Sequence, residues 1–391
     1  MSTTSAGVRP LDGILVADFS RVLAGPLATA TLADLGAQVI KVERPHGGDD
    51  TRAWGPPWTA NSSSYFESAN RSKQSVALDL SQPADLELAQ ELAARADVVV
   101  ENFKTGALDR RGLGYADVAA RNPKVVYCSI TGFGSAQGAD LAGYDFLVQA
   151  VGGLMSITGD ADGDPMKVGV ALVDVLTAKD ATIGILAALR AREVTGRGQR
   201  IEANLLSSLL GSLVNQASSY LATGRAPERM GNAHPSIAPY ELLACADGPI
   251  AVACGNDGQF RKLAGVLGKE SLADDERYVT NAARVTHRAD LVADLEALLA
   301  AETAEEWTTR LAAVGVPAGR VGSVADGLAL ADSLGLNPVV AVAEGTPQVR
   351  HPITYSETPV TAYGPPPRLG EHSDEIRRWL STPQTHHQEN A

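Results

Sequence analysis

A regular alternation of short apolar runs with helix-like stretches constrains this chain more than any other feature. Within the first 45 residues, Gly13 to Phe19 predicts a buried strand, Leu27 to Leu35 a helix stopped by Gly36, and Ala37 to Glu43 a second strand, with Pro26 suited to the helix's first turn. The pattern continues through a strand at Ser75 to Leu80, a helix at Ala84 to Ala96 with Leu88 and Leu92 on one face, and a strand at Asp97 to Glu101. A helical stretch at Leu108 to Ala120 and a strand at Lys124 to Ile130 complete it. Apolar strands separated by helices call for an α/β fold with a mainly parallel, doubly wound sheet. Ligands of such sheets bind beyond the carboxyl ends of the strands, which selects the loops at 21–26, 44–49, 102–106 and 131–134. The first of these has no G-x-G-x-x-G, so a nicotinamide or flavin pyrophosphate has no cradle there and a simple oxidoreductase is rejected.

Charge narrows the partners. The formal net charge is -13 and the sequence pI about 5.0, which argues against nucleic acid and anionic membranes, since both require basic patches. An anionic ligand must then be drawn by local cations, and Arg44, Lys73, Lys104 and Arg110 or Arg111 lie in or near the selected loops. With 391 residues, the chain has room for two domains. No apolar run approaches the roughly 18–20 residues of a membrane span, and the N-terminus lacks a secretory pattern. Cys128, Cys245 and Cys254 show no C-x-x-C spacing and fit reduced thiols, so a soluble cytoplasmic protein is expected. His386 and His387 form too short a tract for a metal site.

The chemistry is expected at Met166 to Thr177, where Asp174 stands between an apolar approach and the apolar helical run Ile183 to Arg190. An Asp at a helix mouth has two readings: an N-cap, or a nucleophile held ionised by the helix end. The loop at 46–64 is long and carries Arg52, Trp54 and Trp58, with packing the default for both tryptophans. A tight turn at Thr195 to Arg200 leads to a strand at Arg200 to Ala203 and a helix at Leu205 to Ala222. After the linker-like Gly231 to Tyr240, strands at Glu241 to Ala244 and Ile250 to Cys254 and helices to about Leu311 suggest a smaller second domain, ending at Gly315 to Gly319.

Several segments then fall into one order: Gly25-Pro26, Asp34 to Ala37, Lys41 to Pro45, Asn70 to Ser75, Glu101-Asn102-Phe103, Gly132-Phe133-Gly134, Gly143-Tyr144-Asp145, Asp174 and Thr195 to Gln199. Together they resemble the class III CoA-transferases, the CaiB/BaiF family, from about Leu11 to Leu380. The resemblance implies an interlocked homodimer. Each subunit would have a large Rossmann-like domain built from both chain ends (1–222 and 325–380), a small middle domain with linkers (223–324), and a disordered tail (381–391). It implies that Asp174 is the catalytic nucleophile, and that Arg44, Lys73, Asn102, Phe103 and Arg110 belong to the site for coenzyme A. CoA and acyl-CoA are then substrates, with no tightly bound cofactor and no metal.

The same resemblance shapes the substrate. Leu23 stands where formyl-CoA transferases carry Gln, and the middle domain lacks their glycine-run loop, which turns the expectation away from formyl and oxalyl groups. Gly231 to Tyr240 resembles members moving CoA from succinyl-CoA to dicarboxylic acids. Arg52 and Arg71 are the candidates to read a distal carboxylate, Tyr144 and His234 are further substrate-site candidates, and glycine turns at 132–134 or 255–258 could supply oxyanion donors. Two rivals stand beside this reading: a CoA-binding partner subunit without turnover, which the retained Asp174 argues against, and an α-methylacyl-CoA racemase. The racemases use a Gly-His-Asp motif, and here its His is Tyr144, a poor base with an ordinary phenol pKa near ~10. A transferase predicts no brisk hydrogen–deuterium exchange at the α-carbon of a 2-methylacyl-CoA; rapid exchange without CoA transfer, followed by NMR, would give the racemase reading the field.

Overall fold

The computed structural model describes residues 8–342 and 345–383, so His386, His387 and the tail from 384 onward lie outside the described residues. Its packing divides the chain into two compact units. The first comprises the described parts of Met1–Gly152, Val168–Ser218 and Asn337–Ala391, and the second Gly153–Lys167 with Ser219–Leu336.

The first unit is built on six parallel strands: β1 (Leu15–Asp18), β2 (Gln38–Glu43), β3 (Gln74–Ala77), β4 (Val98–Glu101), β5 (Val126–Thr131) and β6 (Arg200–Asn204). They lie in the order β3-β2-β1-β4-β5-β6, with the order reversing on either side of β1. The central strands are buried along most of their length, as strands covered by helices on both faces must be. Helices α1 (Ala24–Asp34), α2 (Ser64–Ser68), α3 (Pro83–Arg95), α4 (Tyr115–Arg121), α5 (Asp145–Val151) and α6 (Leu172–Thr195) connect or flank them. Ala17, Ile40, Val76, Val99, Tyr127 and Leu92 share one core with Ile376 and Leu380 of the last helix, Ser373–Ser381. Arg95 locks that helix by donating to the carbonyls of Trp379 and Leu380 at 2.9 and 3.1 Å.

Two expected helices are interrupted. The stretch 108–120 is a 3₁₀ turn at Asp109–Arg111 followed by α4, because Gly112 turns left-handed at φ 62° and ends the first piece. The helix expected over 205–222 breaks into Leu205–Ser212 and Val214–Thr223, with Val214 itself at φ 38°. Ser381, expected in the tail, closes the last helix.

The second unit carries an antiparallel sheet of β7 (Tyr240–Cys245), β8 (Gly248–Ala253) and β9 (Ala318–Arg320). Gly319, read from sequence as a boundary, sits inside β9. Phe260, Leu263, Leu291, Leu295, Trp307 and Leu311 form the core against this sheet. No helix among the described residues is long and apolar enough to cross a membrane.

Beneath the carboxyl edge of the six-stranded sheet lies a buried set of charges. Asp18 and Lys73 pair at 3.0 Å and Lys41 and Asp49 at 2.9 Å, all four side chains without solvent contact. Burial pushes the Asp18 carboxyl up, but Lys73, Lys41 and the hydroxyls of Ser20 and Thr29 outweigh it and hold it at about 2. Removing one member strands the other in the core. Lys73→Met is expected to cost about 3–5 kcal/mol by urea denaturation, and the double variant Asp18→Asn, Lys73→Met to recover part of that loss. Equal losses in both would remove the pair as the cause.

Candidate active site

Asp174 lies in the first turn of α6, as the third residue of the helix rather than its cap. The cap position is Ala171, which has no polar side chain to offer, and the task falls to Asp145 at the start of α5. One oxygen of Asp145 accepts the N–H of Val173 at 2.8 Å and that of Asp174 at 3.3 Å, while the other accepts from Gln149 Nε2 at 2.7 Å. The N-cap alternative for Asp174 is thereby corrected: a carboxylate distant in sequence already satisfies those donors, and the Asp174 carboxyl is left to face a cleft.

That cleft is half enclosed and lies at the carboxyl ends of β1, β4 and β5, as an open parallel sheet dictates. Its walls include Val22 and Leu23, Asn102 and Phe103, Thr131 and Gly132, and Tyr144. Gly132 and Gly143 meet back to back: a Cβ on Gly132 would stand 2.3 Å from the Cα of Gly143, so only this pair lets the two loops touch. Gly134 is not a free oxyanion donor, since its N–H goes to Thr131 Oγ1 at 3.1 Å, and Gly255 donates likewise to Gln259 Oε1 at 2.8 Å.

Burial and the neighbouring Asp145 charge push the Asp174 carboxyl up to about 7. The sequence expectation of a carboxylate held ionised by the helix end is overridden, because desolvation and a like charge act against ionisation. Tyr65, on α2, feels the same field: burial first, then Asp174 and Asp145, raise its phenol to about 12 and keep it a proton donor. Its ring meets Trp54 edge-on at 5.3 Å between centroids.

The other expected site residues divide sharply. Phe103 lines this cleft and also a second one, where it joins Arg44 and Arg111 beside Leu78 to Ser81. Arg21 lies in both clefts, its guanidinium 4.9 Å from the centre of the Phe103 ring and its buried Nε without a hydrogen-bond partner. Arg44 is exposed and shares Asp50 with Arg21. Asn102 lines the first cleft, but its amide is spent on Arg21, accepting its N–H at 2.8 Å and donating to its carbonyl at 2.7 Å. Arg111 rather than Arg110 lines the second cleft; Arg110 is exposed beside Gly106.

Three cations are corrected outright. Lys73 is buried against Asp18, Asn70 and the Pro26 carbonyl and has no path to a phosphate. Arg52 makes two 2.7 Å bonds to Glu43 and lies over the Phe66 ring at 3.7 Å. Arg71 grips Asp34 with two nitrogens and reaches the Val349 carbonyl. Neither arginine lines the Asp174 cleft. Tyr144 does, with 65% of its surface exposed. His234 belongs to the second unit, where its Nδ1 accepts the Ser236 N–H at 3.1 Å and its ring packs on Tyr240 at 5.3 Å. Asp145, Tyr65 and Arg21 went unassigned in the sequence; the Gly-Tyr-Asp segment was the available signal for the first.

A carboxyl in the cleft, Arg21 and Lys104 in its wall and an open parallel sheet define an α/β protein with a ligand-sized crevice at the carboxyl ends of its strands. It belongs to CoA-transferase family III, whose model matches residues 11–373. It is 46% identical over 389 residues to the succinate–glutarate CoA-transferase of Agrobacterium fabrum, covering 95% of this chain and 96% of that one. To the succinyl-CoA:glutarate CoA-transferase of Homo sapiens it is 40% identical over 378 residues, covering 94% and 85%. The crystal structure of a CaiB/BaiF family protein from Brucella suis superimposes with a TM-score of 0.86 at 46% identity, covering 95% of this chain and all of that one (100%).

The raised pKa has a stability consequence whose sign is fixed. Because Asp174 binds its proton more tightly folded than unfolded, its ionisation destabilises the fold, fully above about pH 7 and not at all below its unfolded value near 3.8. Asp174→Asn should therefore raise the melting temperature by about 3–6 °C at pH 8 and leave it unchanged at pH 4, measured by calorimetry. An equal shift at both pH values would contradict a charge origin.

Proposed function

We propose that this enzyme moves CoA from succinyl-CoA to a dicarboxylic acid of the glutarate class, with Asp174 as the nucleophile. The observation that carries the mechanism is Asp174 itself: a carboxyl in a substrate-sized cleft, freed from capping by Asp145. The substrate class rests on the names of the Agrobacterium and human relatives.

In this reading an Asp174 oxygen attacks the thioester carbonyl, the C–S bond breaks, and a mixed anhydride and CoA thiolate form. The thiolate returns to the aspartyl carbonyl and releases the donor acid. An acceptor carboxylate then attacks the aspartyl-CoA thioester, and the freed thiolate takes the acyl group from the second anhydride. The electron pairs balance, and no proton is gained or lost overall. Each step develops an oxyanion, and the Tyr65 phenol is a protonated donor in the field of Asp174.

The nucleotide end of CoA fits the second cleft, with Phe103 as the apolar contact and Arg44, Arg111 and Arg21 for phosphates. Because Arg21 and Phe103 belong to both clefts, one extended ligand can run from there to Asp174. With Arg52 and Arg71 engaged elsewhere, Arg21 and Lys104 are the cationic side chains lining the Asp174 cleft, and a distal carboxylate would meet one of them. The exposed apolar side chains of Phe146, Val151, Ile183 and Val194 on α5 and α6 call for cover, which supports a homodimer. The interlocked arrangement, with a large domain built from both chain ends, follows the family resemblance.

Incubation with succinyl-CoA and hydroxylamine, followed by peptide mapping, should place the modification at residue 174. Asp174→Asn should give none and lose CoA transfer by about 10³-fold or more. Full transfer activity in Asp174→Asn would overturn the reading.

A further inference from the structure

The turn from β1 into α1 contains a backbone conformation that its sequence does not favour. Val22 has φ 71°, in the left-handed region, where a β-branched side chain is crowded and which only surrounding structure can impose. Nothing about valine explains the choice. The turn is gripped residue by residue from β2 and the neighbouring loops. Lys41 donates to the Ser20 carbonyl at 2.8 Å, Asn102 takes both the N–H and the carbonyl of Arg21, and both oxygens of Asp49 face the Val22 N–H at 3.2 and 3.3 Å.

Asp49 is itself over-determined. Its side chain is fully buried, paired with Lys41 at 2.9 Å, and accepts the N–H and hydroxyl of Thr51 at 3.0 and 2.8 Å. Capping the 3₁₀ turn at Asp50–Ala53 requires only the Thr51 N–H, so the bond to Val22 is additional to that role. The gripped turn then delivers Leu23, the uncapped N-cap of α1, and Ala24 into the wall of the Asp174 cleft. A buried ion pair is thus spent on holding one strained residue beside the candidate nucleophile.

We propose that Asp49 is a positioning residue for CoA transfer: by holding Val22 left-handed it fixes the β1–α1 turn as a wall of the Asp174 cleft. This rests on the Asp174 cleft being the active site, which Asp174→Asn tests separately. The charge of Asp49 touches no substrate; what reaches the chemistry is the shape it imposes.

The test is rescue through glycine, which adopts positive φ without help. Asp49→Asn should lower kcat by about 30–100-fold with KM for succinyl-CoA changed less than about threefold, because Asp49, although part of the second cleft's wall, has no exposed side-chain surface there and Asn keeps its size. Adding Val22→Gly should recover at least about tenfold of kcat, whereas adding Val22→Ala, which removes the branched methyl groups but keeps the Cβ and its steric restraint, should recover less than about twofold. Equal recovery by glycine and alanine, or none by either, overturns the proposal. Should Asp49→Asn fail to fold, Val22→Pro decides: it keeps the Lys41–Asp49 pair but forces φ near −65° and removes the N–H. The proposal requires it to lose at least about 30-fold in kcat while its melting temperature stays near that of the parent; near-parental turnover sinks the idea. If instead Asp174→Asn retains transfer activity, the site reading fails, whatever the Asp49 variants do.

Discussion

The carboxyl edge of the sheet depends on charges that never meet water. Asp18 at the end of β1, Lys41 and Glu43 on β2, and Lys73 just before β3 would each be costly in a protein interior alone. Together with Asp49 and Arg52 they neutralise one another at hydrogen-bond distances. An apolar cluster of equal volume could hold the strands as well or better. What it could not do is fix loops by direction, because dispersion contacts have none. The ionic set reaches out of the core with oriented bonds: Lys41 to Ser20, Asp49 to Val22 and Thr51, and Glu43 to the N–H of Asp49. The loops above the sheet inherit their geometry from the charges below it.

A second electrostatic decision is made at α6. Asp145 satisfies the helix donors that Asp174 would otherwise have taken, and in doing so brings a like charge to it. Both effects matter to a nucleophile. A carboxylate bound to its own helix end would be well solvated by N–H groups and correspondingly unreactive. One held near neutrality, at about 7, remains half ionised at physiological pH while keeping a more basic, more nucleophilic oxygen. Burying that charge lowers stability, as strain at a proposed active site is expected to do.

Much of the scaffold could be read from the chain, and the reasons are local. Val98-Val99-Val100 and Val125-Val126-Tyr127 are strands because nothing but a covered sheet accommodates such runs, and each is found within a residue or two of its expected place. The setting of Asp174 before an apolar helix left cap and nucleophile both open, and the nucleophile reading came from the family resemblance. Two of the misassigned cations have a different property: their partners are far away in sequence. Lys73 is tied to Asp18 and Arg71 to Asp34, and no periodicity or spacing marks those pairings, so a loop lysine bound for the core looks the same as one bound for a phosphate. The capping role of Asp145 was hidden for the same reason, twenty-eight positions from the amide it serves.

The two carboxylates that shape the surroundings of Asp174 work by opposite means. Asp145 is half of a repulsion and acts on Asp174 through charge. Asp49 is half of an attraction, neutralised by Lys41 and by the hydroxyl and amide of Thr51, and acts through geometry alone. The transfer proposed above, with its several anionic intermediates, needs both kinds of control. The nucleophile's basicity must respond as acids and thiolate come and go, while the wall against which they line up must not. Separating the duties between a like-charged neighbour and a salt-bridged one lets the site vary the first without disturbing the second.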